Sequence, residues 1–341
     1  MRSYSRILVR ATNWVGDAVM SIPALEAIRL QFPDAHITIL ARPWVAEIYQ
    51  GASFCDQVLL YTPKSGFGDW GEKWKLARIL RGIIFDLAIL LPNSFDSAIV
   101  PFLAGIPERI GYARDGRSLL LTNAVSRPPV DRARHERFYY LELLQRAGLV
   151  DSVPKDAAIR LRHVTPRAVP RPTVGISPGA AYGTAKRWLP ERFADTAALL
   201  ASKGTGSDVL VFGTKDEAGV CEEVAQLVRG RGVSRVESLG GKTSLREFME
   251  YVAACQVFVT NDNGAMHVAA ALGVPTVAVF GATNHVTTGP TGDRTVIVRE
   301  AKVDCSPYPH PCLRRECPID HRCMKAVSAE RVAEEALRIL G

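Results

Sequence analysis

Two stretches of this chain put polar residues where an apolar strand gives way to a helix. Around residue 260 the order is Val257-Phe258-Val259-Thr260, then Asn261-Asp262-Asn263, then a small-residue run from Gly264 toward Gly273 and Pro275. A helix beginning at such a turn leaves its first backbone N–H groups without partners, and its dipole adds partial positive charge. The amides of Gly264 and Ala265 therefore suit an anionic ligand, and His267, three residues in, can face the same anion. The plainer alternative is that Asp262 or Asn263 simply caps the helix. Near the N-terminus, Ile7, Leu8 and Val9 form a short strand followed by Ala11-Thr12-Asn13-Trp14-Val15-Gly16-Asp17 and a helix over 18–32. Asp17 at that turn serves as a cap or, projecting above the sheet edge, as a base. A carboxylate after the first strand of one half, paired with an anion-binding turn in the other, favours the base.

The elements that must position these turns alternate along the chain. Apolar strands are predicted at 37–40, 57–61 and 87–91, then at 173–176, 209–212, 257–260 and 276–280, with helices over 74–81, 138–147, 194–201, 218–228 and 245–253. Continuous apolar strands between amphipathic helices belong to parallel sheets covered on both faces. Pro166, Pro170 and Pro172 favour an extended linker over 166–172. Domains are thus expected at 1–165 and 173–327, with a terminal helix over 328–341 capped by Ser328. A length of 341 residues fits two ordinary domains, and 47% hydrophobic with 23% charged residues is globular. No apolar run approaches the roughly 20 residues that span a bilayer, and no signal-peptide cleavage pattern is seen, so a cytoplasmic location is expected. The net charge of +7 favours an acidic partner. Basic residues gather at Arg109, Arg114, Arg117, Arg127, Arg132, Arg134 and Arg137, with Tyr112, Phe138, Tyr139 and Tyr140 between them. A solvated basic surface is the default account, and without a zinc finger, aromatic RNA-binding signature or basic heptad no nucleic acid is expected.

Longer blocks carry a resemblance. They are Trp14-Val15-Gly16-Asp17, Leu91-Pro92-Asn93-Ser94-Phe95 with Val100-Pro101-Phe102 and Ala104-Gly105-Ile106-Pro107, Ser177-Pro178-Gly179-Ala180 with Ala185-Lys186-Arg187-Trp188, and Thr260-Asn261-Asp262 with Met266-His267-Val268-Ala269-Ala270-Ala271-Leu272. In these blocks the chain resembles the lipopolysaccharide heptosyltransferases of glycosyltransferase family 9, in the branch that adds the second heptose. The resemblance implies an α/β chain of GT-B fold, with two doubly wound parallel-sheet (Rossmann-like) domains facing a cleft, acceptor bound by the first and nucleotide-sugar by the second. It implies inverting transfer of L-glycero-D-manno-heptose from ADP-heptose to Kdo-lipid A carrying one heptose, with peripheral contact at the cytoplasmic face of the inner membrane. No cofactor is required on this view, and magnesium dependence stays open.

Carried over by position, Asp17 is the general base and Lys186 the cation beside the departing diphosphate, in a loop with Gly179. Asn263, Gly264 and His267 match the phosphate turn, Asp262 the heptose hydroxyls, Glu217 the ribose, and Thr243 or Ser244 the adenine. Asn93, Ser94 and Asp96 would meet the acceptor sugar, while Arg114 and Arg117 hold the anionic core. From the residues alone, Lys186 with Arg187 is better read as a surface pair, and Glu217 reads equally as a helix-start acid.

Four of the seven cysteines lie in Cys305-x6-Cys312-x4-Cys317-x5-Cys323, with His310 and His321 interleaved. Thiolates and imidazoles suit zinc, yet no Cys-x2-Cys pair is present, so a packed or redox-sensitive loop is favoured over a metal site. Cys55, Cys221 and Cys255 sit in apolar contexts and read as core. Two rival classes stay open: another GT-B nucleotide-sugar enzyme, such as heptosyltransferase I or III or an epimerase, and a non-catalytic nucleotide-sugar-binding protein.

Overall fold

The computed structural model describes residues 3–62, 67–129, 133–202, 208–307 and 310–341. It divides into two compact units, one of Met1–Asp131 with Glu136–Ala158 and one of Arg132–His135 with Ile159–Gly341. The segment after residue 158 is tied to the second unit, since Leu161 donates to the Ala271 carbonyl at 2.9 Å and Arg167 to that of Glu250 at 3.0 Å.

The first unit holds six strands, β1 (Arg6–Arg10), β2 (His36–Ala41), β3 (Gln57–Leu60), β4 (Leu87–Leu90), β5 (Glu108–Tyr112) and β6 (Asn123–Val125). All pairings are parallel, in the order β3-β2-β1-β4-β5-β6. Leu8, Leu40, Ala88 and Leu90 point to one face, against Leu76, Ala77 and Leu80 of the helix Phe67–Ile83. Ile7, Val9, Ile39 and Ile89 alternate with them and are fully buried, so both faces are covered, as apolar parallel strands require.

The second unit repeats the plan with β7 (Thr173–Ser177), β8 (Asp208–Val211), β9 (Val236–Ser238), β10 (Val257–Asn261), β11 (Thr276–Phe280) and β12 (Thr295–Arg299). Its order, β12-β11-β10-β7-β8-β9, is again wholly parallel. One face buries Val174, Ile176, Val257 and Val259 against Trp188, Phe193 and the terminal helix Ala329–Leu340. The other packs Phe212 and Phe258 with Val252 and Ala269. Each sheet has one place where neighbouring strands lead their crossovers in opposite directions, between β1 and β4 and between β7 and β10. Ligands of doubly wound sheets bind beyond the strand ends at such switch points.

Differences from the sequence reading are local. The helix predicted over 18–32 is two, Val15–Met20 and Ile22–Gln31, because the Ser21 hydroxyl turns back to the Ala18 carbonyl at 2.8 Å and Pro23 opens the second helix. Strands β5, β6, β9 and β12 were not predicted, since each carries polar residues or only three positions. The helix Phe67–Ile83 begins well before the predicted 74–81.

Candidate active site

At the switch point of the second sheet, Asn261 and Asn263 lock two loops together. The Asn261 amide donates to the Pro178 carbonyl at 2.6 Å, and its oxygen accepts the Trp188 N–H at 2.9 Å. Asn263 caps the helix Gly264–Ala271 by accepting from the Met266 N–H at 3.0 Å, while its amide donates to the Gly179 carbonyl at 2.7 Å and the Ser177 hydroxyl at 3.1 Å. The side chain of Asn263 is therefore spent on the scaffold, which leaves the backbone amides of Gly264 and Ala265 as the anion-facing groups of that turn.

Lys186 and Asp262 meet across these loops. Lys186 Nζ lies 2.7 Å from Asp262 Oδ2, with 13% and 4% of their side chains exposed, and the same oxygen accepts the Thr283 hydroxyl at 2.5 Å. The Tyr182 ring sits under the ammonium, 4.7 Å from centroid to nitrogen. His267 is buried, and desolvation pushes its imidazole down to about 4; Asp262 opposes that shift, while His135 and Lys186 add to it. So low a value favours the neutral ring at pH 7. His135 reaches the same unit through Nε2, 2.9 Å from the Gly289 carbonyl.

Glu217 closes a capping box. One carboxylate oxygen accepts the Thr214 N–H at 2.9 Å and its hydroxyl at 3.0 Å. The carboxylate packs over Gly179, so a Cβ there would have to displace it. Thr243 is half-buried in the turn before the helix Leu245–Ala253, and Ser244 caps that helix reciprocally with Glu247. The structure thus brings Gly179, Lys186, Asp262, Asn263, Gly264 and His267 together beyond β7 and β10, with Glu217 alongside beyond β8. Thr283, Tyr182 and His135 were missed; the Gly281-Ala282-Thr283 sequence at the end of β11 was the available signal for the first.

In the first unit Asp17 lies half-buried on the helix after β1; burial raises the phenols of Tyr49 and Tyr140, and the charge of Asp17 adds to it. Asn93 follows β4 and accepts the Tyr139 hydroxyl at 3.1 Å. Ser94 precedes the helix Phe95–Leu103, and its carbonyl accepts the Ser97 hydroxyl at 2.6 Å. Arg114 is exposed beside Asp115. Arg117 departs from the basic surface expected of it, because it is fully buried. Its guanidinium donates to the carbonyls of Tyr112 and Pro92 and to the Ser97 hydroxyl, and burial lowers its pKa to about 10. It holds the 92–97 turn from behind, so any influence on an acceptor runs through that turn. Arg132 lies outside the described residues.

A charged network occupies the same sheet edge. Arg10 donates to the carbonyls of Ala11 and Leu40, and Arg42 stacks 4.3 Å from the Tyr61 ring and 3.9 Å from Asp96. Lys73 bridges Asp69, at 2.6 Å, and Asp96. Burial works against its charge, but the two carboxylates outweigh it and raise its pKa.

The cysteine segment packs behind the Lys186 loop. The Arg315 carbonyl accepts the Ala185 N–H at 3.0 Å and occupies the space a Cβ at Gly183 would need; Arg315 Nε donates to the Tyr182 carbonyl at 2.9 Å, and the Tyr182 hydroxyl to that of Leu313 at 3.2 Å. The thiols of Cys305, Cys312, Cys317 and Cys323 are free, and among the described residues no set of three or more His, Cys, Asp or Glu is arranged to hold a metal. Cys323 is core, against Gly281, while Cys221 and Cys255 are likewise buried.

Known proteins match this geometry. The sequence model of glycosyltransferase family 9 (heptosyltransferase) matches residues 73–322. Lipooligosaccharide heptosyltransferase 2 of Haemophilus influenzae is 30% identical over 315 residues, covering 86% of this chain and 88% of that protein. Lipopolysaccharide heptosyltransferase 2 of Escherichia coli is also 30% identical, over 309 residues and the same shares. The solved structure of E. coli ADP-heptose lps heptosyltransferase II superposes with a TM-score of 0.82 at 28% identity, covering 98% of both chains. The two doubly wound sheets are thus those of a GT-B glycosyltransferase, similar to the enzymes of the heptosyltransferase II branch, and the chain belongs to glycosyltransferase family 9, the heptosyltransferases.

Proposed function

We propose that this enzyme transfers L-glycero-D-manno-heptose from ADP-heptose to the first heptose of the lipopolysaccharide inner core, with inversion at the anomeric carbon. The observation that carries the reading is the cluster at the β7–β10 switch point: a helix start with outward amides, a fixed ammonium at Lys186 and a neutral His267 around one buried carboxylate. Charge grows on the diphosphate as the glycosidic bond to ADP breaks, and a preorganised cation there favours the transition state over the ground state. Lys186 supplies it, moving from Asp262 toward phosphate, which frees Asp262 to accept heptose hydroxyls. Gly264 and Ala265 amides and His267 hold the phosphates, the carboxylate of Glu217 over Gly179 takes the ribose, and Thr243 borders the adenine.

On the acceptor side, Asp17 accepts the proton of the attacking hydroxyl, a role worth about 10²–10⁴-fold in such steps. Asn93 and Ser94 contact the acceptor sugar, Arg114 its anionic substituents, and Arg117 keeps the 92–97 turn in place. The chemistry is assigned to side chains without a bound metal. Because this acceptor is a lipid, the enzyme works as a peripheral protein at the cytoplasmic face of the inner membrane.

The test is transfer from ADP-heptose to Kdo-lipid A with and without one heptose, with Asp17→Asn beside the native enzyme. Product only on the heptosylated acceptor, with turnover falling at least about a hundredfold and ADP affinity kept in the variant, is expected. Product on the unheptosylated acceptor reassigns the enzyme to the first transfer, and native turnover in Asp17→Asn removes that residue from the mechanism.

A further inference from the structure

The helix Phe67–Ile83 has two unlike faces. Inward, Leu76, Ala77 and Leu80 join the core of the first unit. Outward, Trp70 and Trp74 are each 50% exposed and Ile79 is 56% exposed, and Lys75, Arg78 and Arg81 are exposed among them. Spacings of three, four and five residues put these six on the outer half of the helix. Of the acids of the same helix, Asp69 is bound to Lys73, while Glu72 pairs with Lys75 at 3.3 Å and offsets one of the three outward charges, so the face keeps a net positive charge. The outer surface is therefore two indoles and an isoleucine set among three cations.

Apolar groups clustered on a water-facing surface and rimmed by charge mark a contact surface. The area argues for a covering partner, and the charge decides which. A second copy docking the same face through a twofold axis would bring two faces of net positive charge together, which like-charge repulsion opposes. Indole rings with their N–H groups settle at the headgroup level of a bilayer, and Lys and Arg beside them select anionic lipid. We propose that the outward face of the helix Phe67–Ile83 is the surface by which this enzyme docks on an anionic phospholipid bilayer. This deepens the reading above, in which the acceptor is lipid-borne, by naming the residues that bring the enzyme to it.

The test uses the full chain in co-sedimentation with vesicles of phosphatidylcholine, with or without phosphatidylglycerol. Two variants accompany it, Lys75→Glu/Arg78→Glu/Arg81→Glu and Trp70→Ser/Trp74→Ser. Native protein is expected to bind only the phosphatidylglycerol vesicles. The charge variant should weaken that binding at least about a hundredfold, each cation contributing about fivefold, and the indole variant roughly tenfold. Both should retain native turnover on a deacylated, water-soluble acceptor, which also shows that they fold. Equal vesicle binding by native protein and both variants overturns the proposal. So does native protein that ignores vesicles but forms a dimer, in analytical ultracentrifugation, that the variants lose. Failure of all three proteins on the soluble acceptor refutes the transfer reading instead, while the vesicle result still decides the docking surface.

Discussion

The two sheets share one strand order, yet the groups at their switch points handle charge in different ways. In the first unit Arg10, Arg42 and Lys73 are set against Asp69 and Asp96, so ionised groups offset one another at a half-open edge. In the second, neutral amides of Asn261 and Asn263 build the loops, His267 is kept uncharged, and the one ion pair, Lys186 with Asp262, is nearly dry. Topology supplies the place for a ligand, and the side chains decide what the place is for. Mutually neutralised charges tolerate solvent and adapt to a variable polar partner. A scaffold of neutral hydrogen bonds leaves the free amides of the helix start and the Lys186 ammonium as groups suited to an anion.

That contrast is most exposed to Lys186→Met. Asp262 would keep only Thr283 as partner, so stability should fall by about 3 kcal/mol in chemical denaturation, while turnover drops about 10²–10³-fold. Adding Asp262→Asn should recover the stability and not the turnover; recovery of both would reduce Lys186 to a structural counter-ion.

A second break point is His267. Its folded value near 4 lies below the ordinary 6.5, so between these values the unfolded chain takes up a proton that the native chain refuses. Stability from this group is fully present above pH 6.5 and is lost as the pH falls toward 4, by about 3 kcal/mol in all. Denaturation midpoints measured across that window should fall for native protein and flatten for His267→Gln; parallel curves would mean that the second unit does not keep its histidine neutral.

The smallest effect is expected from Lys73→Met. Asp96 is 41% exposed, so water replaces part of what the ammonium gave, and the loss should be about 1–2 kcal/mol with ADP affinity unchanged in calorimetry. A loss as large as that from Lys186→Met would erase the distinction between the two edges.

Much of this organisation was legible in the sequence, for identifiable reasons. Strands such as β1, β4, β7 and β10 are short apolar runs, and both key turns directly follow one, so Asp17 and the Asp262–His267 turn could be placed without coordinates. What escaped were relations between distant residues. Nothing local says that Lys186 will find Asp262, or that Glu217 must lie over Gly179. Arg117 looked like its neighbours Arg109 and Arg114, since an arginine's burial depends on the carbonyls it will meet and not on its own side chain. Thr243 and Ser244 were indistinguishable until the reciprocal bonds with Glu247 assigned Ser244 to a cap.

The brace behind the Lys186 loop has a consequence for the order in which the enzyme becomes competent. As the chain is synthesised, the last strand of the second sheet is complete at Arg299, but the carbonyl that supports Ala185 belongs to Arg315. A nascent chain that has just completed the last of the twelve described strands thus still lacks both the floor of the Lys186 loop and the helix Ala329–Leu340 that covers one face of the second sheet. Competence arrives late, with the cysteine-bearing segment and the terminal helix, and premature termination just beyond β12 would leave one face of the second sheet uncovered as well as the Lys186 loop slack.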